Sequence, residues 1–120
     1  MHILTFDFKA KVDDPELVRA AHAKVIDAMM TEPGCLGAQI LHARSRKEPN
    51  RYMFQSVWRD RDEAIAVMST PEMHETHDVI YEVQSGDVTM GVWSQLYARG
   101  VVAGENVSDR IAGAPQPAVR

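Results

Sequence analysis

The sequence holds a single cysteine, Cys35. That excludes an internal disulfide and a thiolate metal cluster built within one chain, and it fits a reducing compartment. No apolar run approaches the roughly 18 to 20 residues needed to span a bilayer, so a membrane partner is not expected. The N-terminal MHILTFDFKAK lacks the basic-then-apolar pattern of a signal peptide, and a cytoplasmic location follows as the expectation. Positive charge is also in deficit. Thirteen Lys and Arg against seventeen Asp and Glu leave a formal charge of -4, without the basic footprint of a nucleic-acid binder. The basic cluster Arg44, Arg46, Lys47 and Arg51 surrounds Pro49-Asn50 and reads as a solvated turn. Glycine-rich nucleotide loops and a Ser/His/Asp arrangement are missing as well.

What is present is a chain of 120 residues, 45% apolar and 25% charged, enough for one globular domain with a modest core. Residues 2–10 alternate with period two, Leu4, Phe6 and Phe8 on one side and Ile3, Thr5, Asp7 and Lys9 on the other, which predicts a strand. Asp14-Pro15 then offers a cap and a first helical residue. Leu17, Val18, Ala21, Val25, Ala28 and Met29 follow at helical spacing up to Pro33-Gly34. Segments 35–43 and 51–58 read as a hairpin. Asp60 and Glu63 have the spacing of a capping box for a short helix, and Thr70-Pro71 caps a second one. Residues 88–98 read as a last strand. The domain therefore spans 1–99, and the Gly/Ala/Pro-rich 100–120 is expected to be a tail, flexible or wrapped on a partner subunit.

Strand, helix, strand, strand, helix, strand is the split βαβ pattern of an α+β ferredoxin-like domain, an antiparallel sheet with helices on one face. The third strand asks for burial on both faces: Tyr52, Phe54 and Trp58 share one, Met53 and Val57 the other. Helices serve one face only, so a second copy of the chain is expected to bury the other, giving a homodimer.

The run EPGCLGAQIL after an amphipathic helix, and a strand ending in tryptophan that leads into WRDRDEAIAVMSTPEMHETH, resemble the antibiotic biosynthesis monooxygenase domain over residues 2–98. The resemblance implies a dimeric α/β barrel with a pocket between the sheet and the helices of each subunit. It implies a cofactor-independent monooxygenase that oxidises a small aromatic or polyketide-like molecule, of quinol or anthrone type, with O2. A related branch degrades haem, using a first-strand asparagine, a tryptophan in the first half of the broken helix and an axial histidine in its second half. By spacing, His77 stands at the histidine position, Val67 at the tryptophan and Asp7 at the asparagine. Haem binding through His77 is thus one alternative. A non-oxidative cyclase-like enzyme or ligand-binding module is the other.

The stretch PEMHETHDVIY carries two histidines three apart, unlike the four-residue spacing of a zinc-protease helix, and no third ligand is evident. Met73, His77, Ile80 and Tyr81 fall on one helical stripe, so His77 faces the sheet while His74 faces water. If Leu4, Phe6 and Phe8 face the second subunit, Thr5 and Asp7 point under the helices. Asp7 and His77 then form a proton-transfer pair. Tyr52, Gln55, Trp58, Tyr81 and Trp93 are the expected substrate-binding residues, able to orient a phenolic ring or stabilise a developing oxyanion. His22, at the edge of the first helix's stripe, and His42 are read as structural.

Overall fold

The computed structural model describes residues 1–99. The expected tail, 100–120, lies outside them. Over the described residues the order is β1 (His2–Ala10), α1 (Pro15–Met29), β2 (Cys35–His42), β3 (Arg51–Trp58), α2 (Arg61–Met68), α3 (Pro71–Tyr81) and β4 (Gln84–Ser94). The strands form one antiparallel sheet ordered β2-β3-β1-β4, the ferredoxin-like arrangement expected from the element order.

Local chemistry accounts for each helix start. The Asp14 carboxylate accepts from the amides of Glu16 and Leu17 at 3.0 and 3.3 Å, with Pro15 at the first turn where its missing N–H is not needed. Asp60 accepts from Glu63 N at 2.9 Å to start α2. Thr70 Oγ1 accepts from Met73 N at 3.3 Å to start α3, and Pro71 again fills the first turn. β4 begins four residues earlier than its composition predicts and ends at Ser94. Gln84 pairs with Ala10, and Ser85 Oγ donates to Lys9 O at 2.7 Å, so partner strands draw a polar, Gly-containing segment into the ladder.

Cross-strand partners in an antiparallel sheet share a face. The β1–β3 register sets Phe8 opposite Tyr52 and Phe6 opposite Phe54. The rings of Phe8 and Phe54 each lie 5.3 Å from His22 of α1. The Leu4–Phe6–Phe8 face therefore meets the helices, reversing the expected orientation, and Thr5 and Asp7 point to the opposite face. The physical reason is area: the side with the larger aromatic surface sits under the helix layer. Burial of Phe8, Phe54 and Trp58, at 2%, 2% and 0% exposure, stabilises the fold by roughly 1.5–3 kcal/mol for each ring.

The centre of α1 also shifts. Val18, Ala21, His22, Val25 and Met29 are buried, whereas Leu17 is 51% exposed. His22 is thus at the middle of the core-facing stripe and not at its edge. Gly34, in the turn before β2, allows a close approach: a Cβ there would stand 2.7 Å from Glu63 Cδ and 2.9 Å from Glu63 Cβ of α2. Glu63 is held there by Arg59, whose Nε and Nη2 donate at 2.8 and 2.7 Å. Gly37 has open space around it.

Candidate functional site

The helix-facing side of the sheet collects the polar atoms without protein partners. α1 and α3 pack against each other over it. His22, on α1, is fully buried, and a ring nitrogen of it, Nδ1, lies 2.8 Å from Val18 O. His77, on α3, is half-buried, and its Nδ1 lies 2.8 Å from Met73 O. A carbonyl oxygen can only accept, so in each case Nδ1–H donates, and the tautomer this selects has its lone pair on Nε2. Both Nε2 atoms are buried with no hydrogen-bond partner among the described residues.

Tyr52 supplies a third such atom, its buried hydroxyl oxygen. Its ring is 3% exposed and lies between Phe8, at 5.8 Å, and His42, at 4.3 Å. His42 itself is fixed by Nε2–H donation to Pro49 O at 2.6 Å. Burial raises the Tyr52 pKa, and the charges of Asp13 and Asp14 raise it further, so the phenol stays protonated and available as a donor. His22 moves the other way. Burial lowers its pKa against the opposing hydrogen bond to Val18, and nearby His77 lowers it further, which keeps the ring neutral.

Along β4 the same face of the sheet is exposed. Val88, Met90 and Val92 are cross-strand partners of Phe8, Phe6 and Leu4 and so share their face, yet they are 40%, 61% and 54% exposed. The helices cover the β1–β3 side and leave the inner face of β4 bare.

The chain's residues 1–79 match the family model described as antibiotic biosynthesis monooxygenase. The chain belongs to the antibiotic biosynthesis monooxygenase family. Solved structures agree on the fold. A Nitrosomonas europaea protein assigned to the antibiotic biosynthesis monooxygenases superposes with a TM-score of 0.67 at 21% identity, over 81% of this chain and 100% of that one. SnoaB, a cofactor-independent oxygenase from Streptomyces nogalater, gives 0.66 at 18% identity, over 84% of this chain and 95% of that one. No curated protein matches the chain.

Within this antibiotic biosynthesis monooxygenase fold, the expected site residues separate. His77 and Tyr52 are under the helices. Asp7 is not: it lies on the opposite face of the sheet and accepts from Arg51 Nε at 3.1 Å and Nη2 at 2.7 Å. Those hydrogen bonds, with the guanidinium charge, hold its pKa below the usual carboxylate range. The expected Asp7–His77 pair is therefore not brought together. Gln55 is on that same far face, accepting from Gln39 Nε2. So is Trp93, which is 59% exposed and donates from Nε1 to Thr5 Oγ1 at 2.9 Å. Trp58 faces the helices, with no exposed surface, and its indole N–H donates to Ser56 Oγ at 2.9 Å, a packing role. Tyr81 is 60% exposed on α3, and His74 is exposed as expected.

His22 is the residue that the stripe of α1 could have revealed. It stands four residues after Val18 and three before Val25, with Ala21 beside it and Met29 two turns on. Among the described residues no group of three or more His, Cys, Asp or Glu side chains could hold a metal ion. Among the described residues no helix is long and apolar enough to cross a membrane.

Proposed function

We propose that this family member is a cofactor-independent monooxygenase acting on a small hydroxylated aromatic or polyketide-like substrate, with His77 as proton acceptor. The observation that carries the reading is the buried, unpartnered Nε2 of His77 beneath α3. Donation from Nδ1–H to Met73 O holds the ring in one tautomer and orientation, so the Nε2 lone pair is ready to take a proton without rearrangement. Removal of a phenolic or acidic ring proton leaves an electron-rich anion, which reacts directly with dioxygen. The neutral phenol of Tyr52 is the available donor for a ligand oxygen on the same side of the sheet. Asp7 has no part in this chemistry, because the sheet stands between it and His77.

Oxygen consumption against a panel of phenols and anthrones tests the reading. His77→Ala is expected to lose at least about a hundredfold in rate, the usual size of a general-base contribution. His74→Ala, one turn away on the exposed side, is expected to keep the wild-type rate. Full turnover in His77→Ala, or turnover that needs no oxygen, overturns the assignment.

The haem-degrading reading does not fit the residues. An iron held by His77 Nε2 would lie under the helices, where Asp7 cannot reach it, and Val67 lacks the bulk of the tryptophan that the haem-degrading branch carries. A Soret band on haemin titration, lost in His77→Ala, would favour simple haem binding over oxygenation.

A homodimer belongs to the same proposal. The far face carries Ile3, Leu41, Met53, Val57 and Trp93, with Asp7 paired to Arg51 and Gln39 to Gln55 within it and Lys9 exposed at its end. Such a face can be buried against a two-fold copy of itself without stranding a charge. Sedimentation of a monomer at micromolar concentration would count against it.

A further inference from the structure

We infer that His22 is a second ligand-binding acceptor of the site, and that the paired Nε2 atoms of His22 and His77 select a ligand presenting two hydroxyl donors over one presenting a single hydroxyl. The inference rests on the location of the site proposed above and adds a residue and a selectivity to it.

Three observations lead there. Each ring has its Nδ1–H committed to the carbonyl four residues back, at 2.8 Å, so neither can flip to offer a donor at Nε2 without losing that bond. Both Nε2 atoms are buried and lack a partner among the described residues, although nearly all buried polar atoms in folded proteins have one. The two helices that carry them are in contact over the same sheet face. Two unpartnered lone pairs on contacting helices are matched by two O–H groups on a flat, otherwise apolar body. The surroundings are apolar: Phe8 and Phe54 flank His22, and Met90 and Val92 lie on the exposed β4 part of the same sheet face. A ligand with one hydroxyl leaves one acceptor stranded, and a buried site built to pair a hydroxyl rejects analogues that lack it.

Anaerobic titration with naphthol and with a set of dihydroxynaphthalene isomers tests this, followed by calorimetry and by long-range nitrogen NMR of the histidine rings. For at least one diol isomer, the Nε2 resonances of both His22 and His77 are expected to move. That diol should bind about fivefold to a hundredfold tighter than naphthol, the range for satisfying one buried acceptor. In His22→Leu the affinity advantage of the diol over naphthol is expected to vanish. The inference is overturned if no isomer binds, if the diol binds while the His22 Nε2 resonance stays still, or if His22→Leu keeps the diol preference. The wild-type NMR needs no variant, so a folding defect in His22→Leu leaves the test intact. Diol selectivity without oxygen uptake would refute the oxygenase reading alone; oxygen uptake without diol selectivity would refute this inference alone.

Discussion

Replacing His22 by leucine measures directly what an unpartnered buried imidazole costs the empty protein. Several contributions oppose one another. Removing the stranded Nε2 gains about 1–3 kcal/mol. Losing the Nδ1–H donation to Val18 O costs about 0.5–1.5 kcal/mol, and losing the stacking on Phe8 costs about 0.5–1.5 kcal/mol more. Leucine is of similar volume and a slightly better helix former. The sum lies within about 1 kcal/mol of zero near pH 7.5, where large-to-small changes at buried positions commonly cost 2–5 kcal/mol. Acidification separates the two proteins. The His22 pKa is lowered in the fold from its ordinary 6.5 by burial, so below that value the unfolded chain takes up a proton that the folded chain refuses. Wild-type stability attributable to this group is complete above about 6.5 and falls as pH drops through the window down to the depressed folded value, by at most about 1.4 kcal/mol per pH unit. His22→Leu has no such proton, and its relative stability should rise over that interval. Urea unfolding of both proteins at several pH values between about 5 and 8 reads the difference. A variant destabilised by more than about 2 kcal/mol at neutral pH, or a difference that is flat with pH, would show that the imidazole is satisfied in the fold and that the reasoning fails.

Gly91→Ala should cost about 1–3 kcal/mol, because a Cβ there would stand 2.5 Å from Thr5 Oγ1 and 2.7 Å from Trp93 Nε1; an unchanged melting temperature would contradict the packing of β4 on β1. Ser56→Ala and Trp58→Phe, alone and combined, should show a coupling of about 1 kcal/mol in a double-mutant cycle, since the indole N–H and Ser56 Oγ are each other's partner at 2.9 Å with no exposed surface on either residue. Additive effects would remove that bond from the account. Asp14→Ala should lower stability by about 1 kcal/mol through the lost cap on α1, read as a shift in urea midpoint with unchanged slope, and Asp14→Ser should recover most of it.

The sequence resolves the architecture because element type is a local property. The period-two face of β1, the Asp14-Pro15 start and the Thr70-Pro71 restart all act within a turn or a strand of themselves, and all appear in the structure. Orientation is not local. Leu4, Phe6 and Phe8 are correctly grouped by alternation, but alternation is silent about which layer each face meets when both faces carry apolar side chains. The fate of Asp7 depends on Arg51, forty-four residues away in sequence, whose guanidinium is aligned by the β1–β3 register. His77 is legible from its stripe. His22 is obscured because Leu17 enters the same stripe on apolar character, rotating its apparent centre, while the structure leaves Leu17 half in water and seats the imidazole in the core.

The break between α2 and α3 bears on how this scaffold can change. Backbone groups at the interruption Ser69-Thr70-Pro71 find partners within a few residues: Ser69 N donates to Ile65 O at 3.1 Å, Thr70 N to Val67 O at 3.1 Å, and Thr70 Oγ1 both donates to Val67 O and accepts from Met73 N. Thr70 alone closes the end of α2 and caps the start of α3, so the joint is built from its own few residues. The segment carrying His77 is in effect a separately mounted bracket, whose height above the sheet can be reset by lengthening or shortening the joint while the strand register stays as it is. One sheet can thereby serve cavities of different depth, and the residue at the tip of the bracket can be exchanged without rebuilding the floor.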